Sequence, residues 1–264
     1  MLVLAGGRMP LQADSLDTTE PDTSLTGTIQ KVDPAANEVL PASPEPFRRG
    51  ESLKFSVQYG FINAGSANLE EPNITDYEGH PVYTLVARAE SNAFFSRFYK
   101  VRNRIESLWD TSGRFSRRYT ENRSEGGHKE KNEILFDHDR GEAIYKNGDA
   151  FPTPPGVQDA LSSFYFTRTQ ALPLGGSVYF DYHASHRSQP LEVRVLGRER
   201  VKTPAGTFDC VAIEPLLKAG GVFSNKGHLV IWLTDDERRM PVLMRSKVSI
   251  GSVSVVLQEA KPGI

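Results

Sequence analysis

One stretch of this chain, Gln158-Asp159-Ala160-Leu161-Ser162-Ser163-Phe164-Tyr165-Phe166-Thr167-Arg168, is patterned as a helix, with Val157, Leu161, Phe164 and Arg168 at spacings that share a face. Almost everything else beyond Phe47 reads as strand. A lone amphipathic helix among many antiparallel strands leaves few ways to bury its apolar stripe. The expected fold is all-β and mostly antiparallel: a single strongly curved sheet, or a half-open or closed β-barrel, with the one helix covering or plugging it.

The strand pattern is clearest at residues 51–61, where Leu53, Phe55, Val57, Tyr59 and Phe61 alternate with Ser52, Lys54, Ser56 and Gln58. Period-two alternation of this kind gives a strand with one dry face. Reversals are predicted at Asn63-Ala64-Gly65, at Asp110-Thr111-Ser112-Gly113 and at Asp137-His138-Asp139-Arg140-Gly141. Phe151-Pro152-Thr153-Pro154-Pro155-Gly156 interrupts any strand before the helix, and strands resume after Gly175-Gly176. Roughly ten to twelve strands joined by short turns make one antiparallel domain. Residues 10–46 are rich in Pro, Asp, Thr, Ser and Ala and too poor in large apolar residues to offset the entropy of ordering. The expected organisation is therefore a disordered acidic leader over 1–46, an antiparallel β domain over 47–260 and a short tail at 261–264.

Charge and cysteine content exclude several classes. With 31 basic and 33 acidic residues the chain carries a formal charge of -2, which argues against nucleic-acid binding. The single cysteine, Cys210, permits no intrachain disulfide and no paired-cysteine zinc site. Its strand context makes it a small buried core residue. No stretch approaches the ~20 apolar residues of a membrane-spanning helix. The first residues, Met1-Leu2-Val3-Leu4-Ala5-Gly6-Gly7, are apolar but lack a basic n-region. They read equally as the remnant of an export signal whose start lies upstream, with cleavage near Leu11-Gln12-Ala13, or as an unstructured terminus. From the residues alone, periplasm and cytoplasm both remain open.

No catalytic constellation stands out. Asp159, Ser162 and Ser163 lack a Gly-x-Ser-x-Gly elbow, and Asp159 is placed to accept hydrogen bonds from amides two and three residues on. His183 and His186 would point to opposite sides of a strand, which makes joint metal coordination awkward. Asp235, Asp236 and Glu237 follow a strand and read as a solvated turn rather than as a glycosidic pair. No metal or cofactor is expected. A basic cluster is more suggestive. Residues 97–123 hold eight bases against three acids, and Lys100, Arg102 and Arg104 alternate on one strand face, with Arg117 on the next strand. Such a patch suits an anionic partner, such as a lipid headgroup, an acidic polymer or the chain's own leader. A solvated face protecting a strand edge explains it equally well.

Several ordered motifs resemble one family. Gly50-Glu51-Ser52-Leu53-Lys54-Phe55 with Ala64-Gly65, then Gln158-Asp159-Ala160-Leu161-Ser162-Ser163-Phe164-Tyr165 with Arg168, resemble the bacterial cell-envelope family known as domain of unknown function 3108. So do Thr203-Pro204-Ala205-Gly206-Thr207-Phe208 and the closing block of Gly220-Gly221-Val222-Phe223, Gly227, Ile231-Trp232-Leu233-Thr234-Asp235 and Pro241-Val242. The resemblance spans about residues 47–257. It implies an exported, periplasmic bacterial protein built on a strongly curved antiparallel sheet, and it brings no activity, cofactor or catalytic residue.

The expected role is a non-enzymatic binding or carrier module for a hydrophobic or lipid-like ligand, with Phe55, Val57, Tyr59, Leu161, Phe164, Tyr165 and Trp232 lining the site. A fully packed core without a cavity is the other fate of such faces. An envelope assembly factor that works by contact with another envelope protein is the competing role. A hydrolase on envelope polymer would need Asp159, Asp235 or His183 to converge with other titratable groups in one pocket.

Overall fold

A computed structural model describes residues 27–31, 38–47, 50–70, 74–217, 228–247 and 251–262. The strands are β1 (Thr28–Lys31), β2 (Val39–Leu40), β3 (Glu51–Tyr59), β4 (Ile62–Glu70), β5 (Ile74–Tyr77), β6 (His80–Ser91), β7 (Arg102–Asp110), β8 (Ser116–Glu125), β9 (His128–Asp137), β10 (Glu142–Tyr145) and β11 (Ala150–Pro152). The helix α1 (Ser162–Thr169) intervenes. Then come β12 (Leu172–Pro173), β13 (Ser177–Ala184), β14 (Arg187–Thr203), β15 (Gly206–Leu217), β16 (Leu229–Thr234), β17 (Pro241–Lys247) and β18 (Ser252–Pro262).

Sixteen of these strands form one antiparallel sheet. Its order is β1-β14-β15-β16-β17-β18-β3-β4-β6-β7-β8-β9-β10-β11, with β13 also beside β14 and β5 beside β6. Meander connections dominate, as short turns between antiparallel neighbours require. The pairing of β18 with β3 joins the last strand to the first long one. The sheet curls but does not close. Its two ends approach where Ser188 Oγ donates to the Pro152 carbonyl at 3.2 Å.

Residues 157–159 stitch across this opening. Ser116 N donates to Val157 O on one side, while Gln158 N donates to Asp181 O and His183 N donates to Gln158 O on the other. The result is a parallel bridge from Gln158 to Tyr182 in an otherwise antiparallel structure. The chain then enters α1 and lies within the curl. Inward side chains from both halves meet it in a single core that includes Leu53, Phe55, Leu85, Trp109, Ile213 and Leu257.

The expected curved antiparallel sheet with one helix is the observed one, but the described strands number eighteen rather than ten to twelve, and β4 runs through Asn63-Ala64-Gly65, where a reversal is expected. Four further corrections are local. The helix starts at Ser162 rather than Gln158, because Asp159 bends the chain first: its Oδ1 accepts from the amides of Leu161 and Ser162 at 2.7 and 2.8 Å. Phe61 leaves the apolar face of β3. β3 ends at Tyr59, and Phe61 sits in the following turn, 73% exposed. Order begins before Phe47, since β1 pairs with β14 and β2 with β12, so the described parts of the leader belong to the domain. The tail expected from 261 onward instead continues β18, with Lys261 opposite Ser52 and Pro262 opposite Glu51. The expected export-signal remnant and the motif Gly220-Gly221-Val222-Phe223 lie outside the described residues.

Candidate functional site

The residues just before α1 form a buried polar latch. Asp159 is 1% exposed, and its Oδ2 accepts from Ser107 Oγ at 2.5 Å. Ser116 Oγ and Ser162 Oγ lie 2.6 Å apart, and Ser116 Oγ accepts from the Asp159 amide at 2.8 Å. Gln158 accepts from Trp109 Nε1 at 3.0 Å and donates to the carbonyls of Arg114 and Gly156. Burial pushes the Asp159 carboxyl above its ordinary range, while the hydroxyl and amide donors around it pull the other way. Every lone pair of this carboxylate with a known contact is directed at the fold itself, so its chemistry is that of a cap and clasp.

A second latch holds the other end of α1. Arg168, with no exposed surface, makes paired contacts to Glu51 at 3.0 and 3.2 Å and also donates to the carbonyls of Pro46 and Arg238. Phe47 and Tyr165 flank its guanidinium, each ring centroid 5.3 Å away. Arg239 donates to the carbonyls of Gln170 and Pro41, and Ser43 N donates to Thr169 O. Residues 38–47 are thereby strapped across this end of the barrel, which we term the mouth.

Around these latches the interior is filled. The space between α1 and the inner faces of β13–β16 is about 40 Å3, lined by Phe164, Tyr182, Val193, Ile213 and Ile231 among others. That is room for a water or two, not for an acyl chain. Of the seven residues expected to line a ligand site, only Phe164 borders this space. Phe55, Val57, Leu161 and Tyr165 are buried in packed core, and Tyr59 is half-buried near the far end of β3. Tyr165 packs edge-on against Phe47. Trp232 is buried too, but on the other side of β16 from Ile231, where its Nε1 donates to Glu199 and Arg245 lies over its ring.

A larger space exists at the mouth. A cleft of about 900 Å3 runs between the strap and the turn after β16, lined by Leu40, Phe47, Ile74 and Tyr83 on its apolar side and by four acids, Glu45, Asp235, Asp236 and Glu237, against one base, Arg239. Phe47, Tyr83 and Trp109 form a ring cluster beneath it, with centroids 5.4–6.0 Å apart. These residues are scattered over sequence, and the strap side of the cleft comes from a segment with no strand pattern. Sequence reasoning therefore had no periodic signal by which to find it.

The groups proposed for hydrolysis do not share one polar constellation. Asp159 belongs to the serine latch. Asp235 accepts from Arg198 at 2.6 Å. His183 is hydrogen-bonded to Tyr145 Oη at 3.0 Å and to Ser188 Oγ at 2.9 Å, and burial pushes its imidazole down to about 4, so it sits neutral. His186 stacks on Tyr145. Among the described residues no group of three metal-binding side chains converges. Cys210 is buried and its thiol is pushed up to about 12, chiefly by desolvation.

The bases of the expected patch are grouped differently in the fold. Arg102 and Arg104 project from the outer face of β7, and Lys100 is exposed just before it. A groove of about 500 Å3 on this face joins Arg102 and Arg104 to Arg88 of β6 and to Lys129 and Lys131 of β9, with Glu90 and Glu130 also in its lining. Arg117 does not belong to it: its guanidinium is held by Asp110 at 2.7 Å and lies over Phe115.

The model of the family described as a protein of unknown function, DUF3108, matches residues 54–258. The chain belongs to the DUF3108 family. This DUF3108 chain also resembles a β-barrel-like protein of domain of unknown function DUF1849 from Brucella abortus, at 9% identity, covering 82% of this chain and 98% of that one with a TM-score of 0.54. That likeness is one of fold. Weaker similarities are a candidate lipoprotein from Parabacteroides distasonis (10% identity, 84% and 99% covered, TM-score 0.36) and a candidate exported protein with a YmcC-like fold from Bacteroides fragilis (15%, 83% and 99%, TM-score 0.29). No curated protein matches the sequence. No described helix is long and apolar enough to cross a membrane.

Proposed function

We propose that this DUF3108 protein is a non-enzymatic binding module of the bacterial envelope whose ligand site is the mouth cleft rather than the barrel interior. The supporting observation is the contrast in space: about 900 Å3 at the mouth against about 40 Å3 beneath α1. Clefts of roughly 300–1,000 Å3 with aromatic walls and a few polar groups are the usual form of a small-ligand site. Leu40, Ile74, Phe47 and Tyr83 would take an apolar body. Glu45, Asp236 and Glu237 at the rim favour a head that is cationic or donates hydrogen bonds. The family resemblance of the motifs supports an envelope location, and the separate engagement of Asp159, His183 and Asp235 supports a role without catalysis.

Isothermal titration with dodecyltrimethylammonium and with dodecyl sulfate, both below micelle formation, tests this reading. One saturable site is expected, tighter for the cationic head. Ile74→Arg, placed on the apolar side of the cleft, should weaken it by about tenfold or more, since it removes a large apolar contact and adds a like charge. Absence of saturable binding, or binding unchanged by Ile74→Arg, would reject the cleft as the site.

A further inference from the structure

Large apolar side chains on the outside of this protein are few and unevenly placed. Of the eight that are exposed among the described residues, Phe61, Ile62, Phe94 and Phe98 lie at one end, with exposures of 73, 52, 60 and 77%. They come from two separate places, the β3–β4 turn with the first residue of β4 and the loop between β6 and β7, at the end of the barrel opposite the mouth.

The two connections are fastened to each other. Asn92 N donates to Ala64 O at 2.9 Å, and Asn92 Nδ2 donates to Asn63 O at 2.6 Å. The second loop is internally fixed as well. Asn92 Oδ1 accepts from Phe95 N, the Ser91 and Ser96 hydroxyls lie 2.7 Å apart, and residues Phe95–Arg97 form one 3-10 turn. Its far side leans on the β8–β9 hairpin, where Tyr99 packs so closely on Gly126 that a Cβ there would meet the ring at 2.4 Å. Phe94 packs edge-on against both Phe95 and Phe98. The rings are therefore presented on a braced platform rather than trailing from a loose loop.

Bases predominate beside them: the adjoining groove is lined by six bases and by the two acids Glu90 and Glu130. Arg97 and Lys100 are exposed and have no ion pair among the described residues. Arg102 meets Glu90 only at 3.8 Å with both side chains more than half exposed. The groove of Arg88, Arg104, Lys129 and Lys131 continues up the outer wall behind them.

We infer that this end docks on the surface of an anionic lipid bilayer, with Phe61, Ile62, Phe94 and Phe98 entering the acyl boundary and Arg97, Lys100 and Arg102 lying at the headgroups. Projecting apolar tips, in a small cluster raised above two braced connections, suit a soft interface that closes around them, whereas a rigid protein partner would need matching pockets. Unpaired cations at the base of the tips supply the charge complementarity. The docking leaves the mouth cleft facing away from the membrane, so the two sites are independent.

Co-sedimentation with sucrose-loaded phosphatidylcholine vesicles, with and without phosphatidylglycerol, tests the inference. The wild-type protein is expected to partition onto vesicles containing phosphatidylglycerol and to be released by salt. F94S/F98S should lower partitioning at least tenfold. R97Q/K100Q should lower it roughly 25-fold on the anionic vesicles, at about fivefold for each charge. Both pairs are exposed, so an unchanged melting temperature confirms that folding is intact. No partitioning of the wild type, partitioning unaffected by either pair, or capture of this end by a protein with no vesicle binding would overturn it.

Discussion

Arg168→Met is expected to destabilise the protein by about 3–5 kcal/mol, the usual cost of leaving one member of a buried ion pair without its partner. Glu51 is only 2% exposed and lies at the start of β3, so its carboxylate has little access to water once the guanidinium is gone. The same change strips donors from the carbonyls of Pro46 and Arg238 and removes a cation from between two aromatic rings. Arg238, with a nitrogen 3.6 Å from Glu51, can move in and hold the loss towards the low end. Arg168→Met combined with Glu51→Met should recover most of the stability, because removing both charges also removes their desolvation cost. Urea-induced equilibrium unfolding measures both variants. A single-mutant loss below about 1 kcal/mol would mean that the pair is better hydrated than its burial indicates.

Leu161→Ala is expected to cost about 2–4 kcal/mol, as for other buried leucines truncated in a packed core. The argument rests on how α1 is held. At eight residues it is too short to persist alone in water, so docking must stabilise it. Leu161 is 4% exposed at the N-cap of the helix, two residues after the Asp159 clasp, and belongs to the same core as Phe55 and Trp109. A helix lying on the surface would lose well under half of that amount. The same unfolding experiment separates the two cases, with the slope against urea unchanged if only stability has altered.

Much of this architecture was legible because alternation survives wherever strands pair regularly. Leu53, Phe55 and Val57 face inward as their spacing predicts, and the Asp-rich reversals at Asp110 and Asp137 cap their turns through side-chain acceptors. Illegible features share a physical cause: they depend on partners far away in sequence. The Arg168–Glu51 pair joins positions 117 residues apart. Bulges at Val57, Trp109, Gly197 and Leu233 shift the ladder by one residue, and no local pattern announces them. The short leader strands β1 and β2 are held through backbone pairing to neighbours, which polar, proline-rich composition conceals. Hydrophobicity alone places Trp232 in a ligand site, yet its ring is buried against Glu199 and Arg245. The basic groove needed Lys129 and Lys131, whose place beside Arg104 follows from strand register alone.

Native-state hydrogen exchange of the α1 amides tests most directly whether the helix is a locked part of a filled barrel. If the two latches and the core hold it as described, amides 165–169 should exchange only through global opening, with the same free energy as those of β3. Exchange of these amides on the timescale of exposed loops, while β3 stays protected, would show a helix that opens freely and an interior available to ligand.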